Sequence, residues 1–234
     1  MNPYIVLLPG LLNNANLFTE KIPALSTIVT AEVGDLTAGE TIGEMAASIL
    51  ETTSAKHFIL LGLSLGGYVA FEIMRQAPER VASLVLMDTT ARPDTAEARA
   101  ARETLIELAK TDLDAVTEKL LPRLSHPEKM SIPAVRGVIH SMATSLGKEV
   151  FERQQRAIMG RPDSRPTLAS ITCQTMVICG ENDLITPPAL ATEMVEGIKN
   201  ARLEIIPQCG HLSTLDQPEE VNRLLIDWIK STKF

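Results

Sequence analysis

Short, almost wholly apolar runs alternate with amphipathic stretches from the first residues of the chain. Tyr4-Ile-Val-Leu-Leu8 is continuously apolar and stops at Pro9-Gly10, the pattern of a strand buried on both faces rather than one. Ile28 to Val33 is a weaker run ended by Gly34-Asp35, with helix-forming residues from Glu40 to Glu51 behind it. Phe58-Ile-Leu-Leu61, Ala82 to Met87, Thr175 to Cys179 and Leu203 to Ile206 continue the series. Helical patterns fall between these runs: Leu65 to about Gln76, a segment after Pro187-Pro188, and a closing helix from Pro218 to Lys230. Strands regularly separated by helices predict βαβ units, and so an α/β fold with a mostly parallel sheet of about six strands covered by helices.

Residues 92 to 166 break the rhythm. Leu113, Val116, Leu120 and Leu121 in one segment, and Val135, Val138, Ile139, Met142 and Leu146 in another, follow helical spacing, and no strand pattern intervenes. Gly147 and Gly160 stand where helix C-termini belong, and Pro122, Pro133 and Pro162 punctuate the rest. These 75 residues read as a helical cap inserted into a core formed by 1–91 and 167–234.

Composition narrows the function. Hydrophobic residues at 45% and charged residues at 22% of 234 are those of a globular chain, which excludes disorder and fibrous repeats. A net charge of −7 and eight aromatics (Trp 1, Tyr 2, Phe 5) leave neither the basic patches nor the stacking platforms that nucleic-acid binding needs. The same charge disfavours an acidic acyl-carrier protein as partner. The longest near-apolar run, Phe58 to Phe71, is 14 residues with three glycines and a serine inside it, too short and interrupted to span a bilayer. No basic segment opens the chain, so no signal peptide is read there, and a cytoplasmic protein that neither spans nor binds a membrane is the expectation. Cys173, Cys179 and Cys209 lack C-x-x-C spacing, so neither a disulfide framework nor a zinc site is implied, and no metal or cofactor is expected. The insertion carries 13 Lys+Arg against 11 Asp+Glu, nine of the chain's thirteen arginines among them. Either these are solvated helix faces with local pairing, or one or two point into a pocket and hold a substrate carboxylate, whose geometry an arginine fork matches.

The chemistry centres on Gly62-Leu63-Ser64-Leu65-Gly66-Gly67. A G-x-S-x-G match alone arises by chance in roughly a tenth of chains of this length. Here it follows the apolar run Phe58–Leu61 directly and opens a helical segment, the strand–turn–helix setting of a nucleophile elbow. A serine hydroxyl needs a base, and the base needs an orienting group; both must come from the carboxyl ends of parallel strands, which converge on one crevice. Of the four histidines, His57 precedes a strand, His126 and His140 lie in the insertion, and His211 alone follows a strand. For the acid, Asp183 follows the run ending at Cys179; Asp88, after Met87, and Glu181 are rivals. Cys209 lacks an elbow, and Met87, Met142 and Met159 are either core filler or the lining of an adaptable acyl pocket.

These motifs resemble the α/β-hydrolase superfamily of serine hydrolases, in its small esterase and enol-lactonase branch, over nearly the whole chain. Ala77-Pro-Glu-Arg-Val81 leading into Leu84-Val-Leu-Met-Asp88, Gly180-x-x-Asp183-x-x-x-Pro187, and Gly210-His211 ahead of Gln217-Pro-Glu-Glu-Val-Asn222 all match its passages. The resemblance implies a fold lacking the family's first two strands and a catalytic triad in the order Ser64, Asp183, His211. It also implies an oxyanion hole from the backbone N–H of Leu65 and of Leu11, with Leu12 a near rival. The family's His-Gly is Pro9-Gly10 here. The expected activity is hydrolysis of small carboxylic esters, thioesters or lactones through an acyl-enzyme. A C–C hydrolase or lyase using the same triad, and a ligand-binding protein with little turnover, are the alternatives.

Overall fold

The computed structural model describes residues 3–232. Its six strands are β1 (Tyr4–Leu8), β2 (Thr30–Val33), β3 (Phe58–Leu63), β4 (Val81–Met87), β5 (Gln174–Gly180) and β6 (Ala201–Ile206). They form one sheet in the order β2-β1-β3-β4-β5-β6, and every neighbouring pair is parallel. The helices of ten residues or more are α1 (Ile42–Thr52), α2 (Leu65–Gln76), α3 (Ala96–Ala109), α4 (Leu113–Leu124), α5 (Pro133–Met159), α6 (Pro188–Gly197) and α7 (Pro218–Ser231).

The continuous apolar runs exist because each central strand is covered on both faces. Val6, Leu8, Phe58, Leu60, Leu84, Leu86, Val177 and Cys179 point to one core with α1, α2 and α6. The alternate residues Ile5, Leu7, Ile59, Leu61, Leu63, Val85, Met87, Met176 and Ile178 point to another, closed by Val221, Leu224, Leu225, Trp228 and Ile229 of α7. The weak run at Ile28 shortens to a four-residue strand at the sheet edge, with none of its residues fully buried.

Residues 92–166 form α3, α4, α5 and single turns, with no strand. Ile106, Val116, Ala143 and Phe151 make a third cluster that reaches Leu12 of the β1 loop. One punctuation signal acts differently from expectation: Pro122 sits inside α4 rather than ending it, at the cost of the intrahelical N–H bond that proline cannot make. Gly147, at φ +82°, ends one helical stretch of α5 as expected, and a second runs on across the kink to Met159, with Gly160 at its C-terminus. Among the described residues no helix is long and apolar enough to cross a membrane.

One close approach sets the geometry above the sheet. A Cβ on Gly66 would lie 2.2 Å from the carbonyl oxygen of Leu8, and one on Gly62 would lie 2.3 Å from that of Gly66. The first turn of α2 therefore rests directly on backbone of β1 and β3. Gly66→Ala is expected to destabilise the fold by at least about 1–3 kcal/mol, since backbone must move. Gly137→Ala, in an exposed helix interior with nothing within 4 Å, is expected to stabilise it by roughly 0.5–1 kcal/mol. Urea unfolding midpoints check both; a neutral Gly66→Ala would contradict the packing argument.

Candidate active site

Because every strand is parallel, the loops after β1, β3, β4, β5 and β6 open on one edge of the sheet, and each delivers one group. Ser64 follows β3 on a sharp turn with φ +53°, a left-handed conformation unusual for serine. The turn is fixed by the Ser64 N–H, which donates to the Met87 carbonyl at 3.0 Å, and by the Thr89 hydroxyl, which donates to the Ser64 carbonyl at 2.8 Å. The side chain is left free to project from the end of α2.

His211, from the loop after β6, and Asp183, from the loop after β5, are each 2% exposed. The Ser64 Oγ lies 2.9 Å from His211 Nε2, and His211 Nδ1 lies 2.8 Å from Asp183 Oδ2. With Nδ1–H donating to the carboxylate, Nε2 is left to accept the serine proton. Asp183 is itself held: its Oδ1 accepts the N–H groups of Ile185 (2.7 Å) and Thr186 (2.9 Å), and its Oδ2 accepts the Thr186 hydroxyl (2.7 Å). Thr186 was not legible as a partner in the sequence.

The rival acids occupy other positions. Asp88 is buried and accepts the Gly180 N–H on one oxygen and the N–H and hydroxyl of Ser213 on the other. Burial and the neighbouring Asp183 charge push its pKa up to about 7. Glu181 accepts the Gln208 N–H at the surface. Burial also raises the thiols of Cys179 and Cys209, so neither is a ready thiolate. Asp88, Cys179 and Asp183 bring three ligand-type atoms within 4.8 Å of one another. All four carboxylate oxygens there already accept protein hydrogen bonds, so the cluster is a hydrogen-bonded scaffold and not a cation cradle.

The donor side is equally specific. Leu12 takes φ +53°, and its N–H donates to Oε1 of Gln154 on α5 at 2.9 Å. Gln154, fully buried, donates in turn to the Leu36 carbonyl at 3.1 Å. The N–H groups of Leu11 and Leu65 donate to no acceptor among the described residues. Of the two candidates after Gly10, Leu12 is occupied and Leu11 is free.

Ser64, His211, Leu11 and Leu12 line a cavity of about 240 Å³ that also reaches α3, α4 and α5. This is smaller than the ~300–1,000 Å³ of pockets for drug-sized ligands. Three of the nine arginines of residues 92–166, Arg102, Arg123 and Arg161, line it. Arg92, Arg136, Arg156 and Arg165 instead pair with carboxylates at the surface. None of Met87, Met142 and Met159 lines the cavity; all three are core residues.

With this geometry in view, the relatives fall into place. Residues 15–224 match the model of the alpha/beta hydrolase family, and the chain belongs to that family. Within it the chain is an esterase-like member. A thermophilic esterase from Thermogutta terrifontis, solved with malate bound, is 27% identical with a TM-score of 0.90, covering 98% of this chain and 90% of its own. The pimeloyl-[acyl-carrier protein] methyl ester esterase of Chromobacterium violaceum is 25% identical over 241 residues, covering 98% of this chain and 95% of its own. The enol-lactonase of Burkholderia xenovorans LB400 shares the fold at a TM-score of 0.89 and 23% identity, covering 99% of this chain and 92% of its own.

Electrostatics make the His211–Asp183 pair testable. Burial alone would lower the imidazole pKa, but the charge and hydrogen bond of Asp183, with Asp88 adding, raise it on balance. Burial would raise Asp183, and the His211 charge and hydrogen bond lower it. The raised His211 contributes stability fully present below about 6.5 and lost as pH rises through its folded value; the lowered Asp183 contributes stability present above about 3.9 and lost as pH falls through its own. The ionised pair thus stabilises most between those limits. Asp183→Asn is expected to lower the His211 titration midpoint, read from its imidazole NMR signals. An unchanged midpoint would contradict the pairing.

Proposed function

We propose that this chain is a serine hydrolase of small carboxylic esters, thioesters or lactones, acting through an acyl-enzyme. The observation that carries the reading is the unbroken hydrogen-bonded line from Ser64 Oγ through His211 to Asp183, starting at a serine held in a left-handed turn.

The steps follow from the groups present. Ser64 Oγ attacks the acyl carbon as its proton passes to His211 Nε2, and Asp183 holds the imidazole tautomer and stabilises the imidazolium. The tetrahedral oxyanion takes the free N–H groups of Leu11 and Leu65; a donor of this kind is worth ~10²–10³ in rate. His211 returns its proton to the leaving alkoxide, thiolate or ring oxygen, and the C–O or C–S bond breaks. It then removes a proton from water, whose oxygen attacks the acyl-enzyme and releases the acid and Ser64. Residues 92–166 act as a cap that encloses the acyl group over the core formed by 1–91 and 167–234. No feature of the site favours C–C cleavage or binding without turnover over this reading.

Ser64→Ala and His211→Ala are each expected to lose on the order of 10⁴-fold or more in kcat on a short neutral ester, with the double variant no worse, because the groups act as a unit. Losses that multiply in the double variant would contradict the assignment.

A further inference from the structure

The cavity above Ser64 carries a second group of polar side chains, from α2, α3, α5 and the loops before α3 and after α5, that the hydrolytic steps do not use. Asp94, Arg102, Gln155, Arg161 and Tyr68 all line it. Asp94, 3% exposed, is held between two guanidinium groups: Arg102 Nε lies 2.7 Å from its Oδ2, and Arg161 Nη1 lies 2.6 Å from its Oδ1. Burial would raise the Asp94 pKa, but the two arginines outweigh it and hold the carboxyl below its usual value. The three side chains therefore sum to one excess positive charge, on groups 6% and 20% exposed. A buried charge without a counter-ion is costly to retain.

Donors are in excess as well. Arg161 uses Nε on the Arg92 carbonyl and Nη1 on Asp94 and the Ile158 carbonyl, while its Nη2 has no partner among the described residues. Its guanidinium lies 4.3 Å over the ring of Tyr68, one helical turn past Ser64. Gln155 is fully buried; its Oε1 accepts from Arg102 Nη1 at 2.6 Å, which leaves the Nε2 amide without a partner. A cluster with spare N–H donors and one unbalanced positive charge is complementary to a monoanion that accepts hydrogen bonds. A carboxylate meets that description, and its planar pair of oxygens fits an arginine fork; a phosphate dianion would overcharge the site. Arg123, also at the cavity, is exposed and bonded to the Leu184 carbonyl, and is not part of the cluster.

We propose that Arg161, Arg102 and Gln155 hold a carboxylate carried by the substrate, with Asp94 fixing the two guanidinium groups, so that the preferred substrate is an ester or lactone bearing a free carboxylate. The reaction that follows rests on the serine-hydrolase reading; the binding does not.

The test compares ethyl pentanoate with monoethyl glutarate, which differ in a terminal methyl against a carboxylate. It adds calorimetric titration of the wild-type protein with glutarate. The expected results are a KM for monoethyl glutarate about 10- to 100-fold below that for ethyl pentanoate, the worth of hydrogen bonds to a charged group, and measurable glutarate binding. Arg102→Met, the more exposed of the two arginines, is expected to collapse the KM difference toward unity, and Arg102→Lys to restore part of it. If Arg102→Met does not fold, the wild-type comparison decides alone. Equal KM values with no glutarate binding would overturn the subsite and leave the serine reading intact. Glutarate binding with neither ester hydrolysed would support the subsite and overturn the serine reading.

Discussion

The contact between the first turn of α2 and the backbone of β1 and β3 is the constraint on which the rest of the structure depends. With no side chain at Gly62 or Gly66, the helix starts flush against the Leu8 carbonyl and the end of β3. The chain must therefore reverse at Ser64 in a left-handed conformation. That turn costs of order 1–3 kcal/mol, held in place by Met87 and Thr89 on one side and β1 on the other. As the first N–H of the helix, that of Leu65 has no intrahelical acceptor and stands free beside Ser64. The strained turn, the free N–H and the placing of the Ser64 hydroxyl all meet at that one contact.

Around that turn the parallel sheet sets the division of labour between two buried carboxylates. Asp88 and Asp183 end adjacent strands and repel one another, and their surroundings separate them. Asp183, facing His211 and three donors, is held ionised, while Asp88 is pushed up to about 7 and ties the β5 and β6 loops together through Gly180 and Ser213. Environment, not residue type, makes one the partner of the imidazole and the other a brace. α5 adds two further contacts: Gln154 accepts the Leu12 N–H and so clamps the loop that carries Leu11, and its neighbour Gln155 lines the cavity.

What could be read from the chain follows local physics. Strands covered on both faces must be apolar throughout, so β1, β3, β4 and β5 were visible, and with β3 and β5 the loops that hold Ser64 and Asp183; β6, an edge strand with only Ile206 buried, showed as the short run Leu203–Ile206 ahead of His211. The edge strand β2 was faint because it buries little. Of the cluster of Asp94, Arg102, Gln155 and Arg161 only the wealth of arginines in 92–166 was legible: its members are 6 to 67 residues apart and meet only through the packing of α3 on α5, which periodicity does not fix. Thr186 and Gln154 escaped because an uncharged side chain acquires a role only through what folds against it.

The proposed chemistry depends on activation of Ser64 by His211. Intact-mass measurement and peptide mapping after treatment with a fluorophosphonate test this most directly, because the probe reports an activated serine without assuming a substrate. One adduct, on Ser64, absent from His211→Ala, is the predicted result. A folded protein that takes no adduct, or one that labels equally without His211, would contradict the claim.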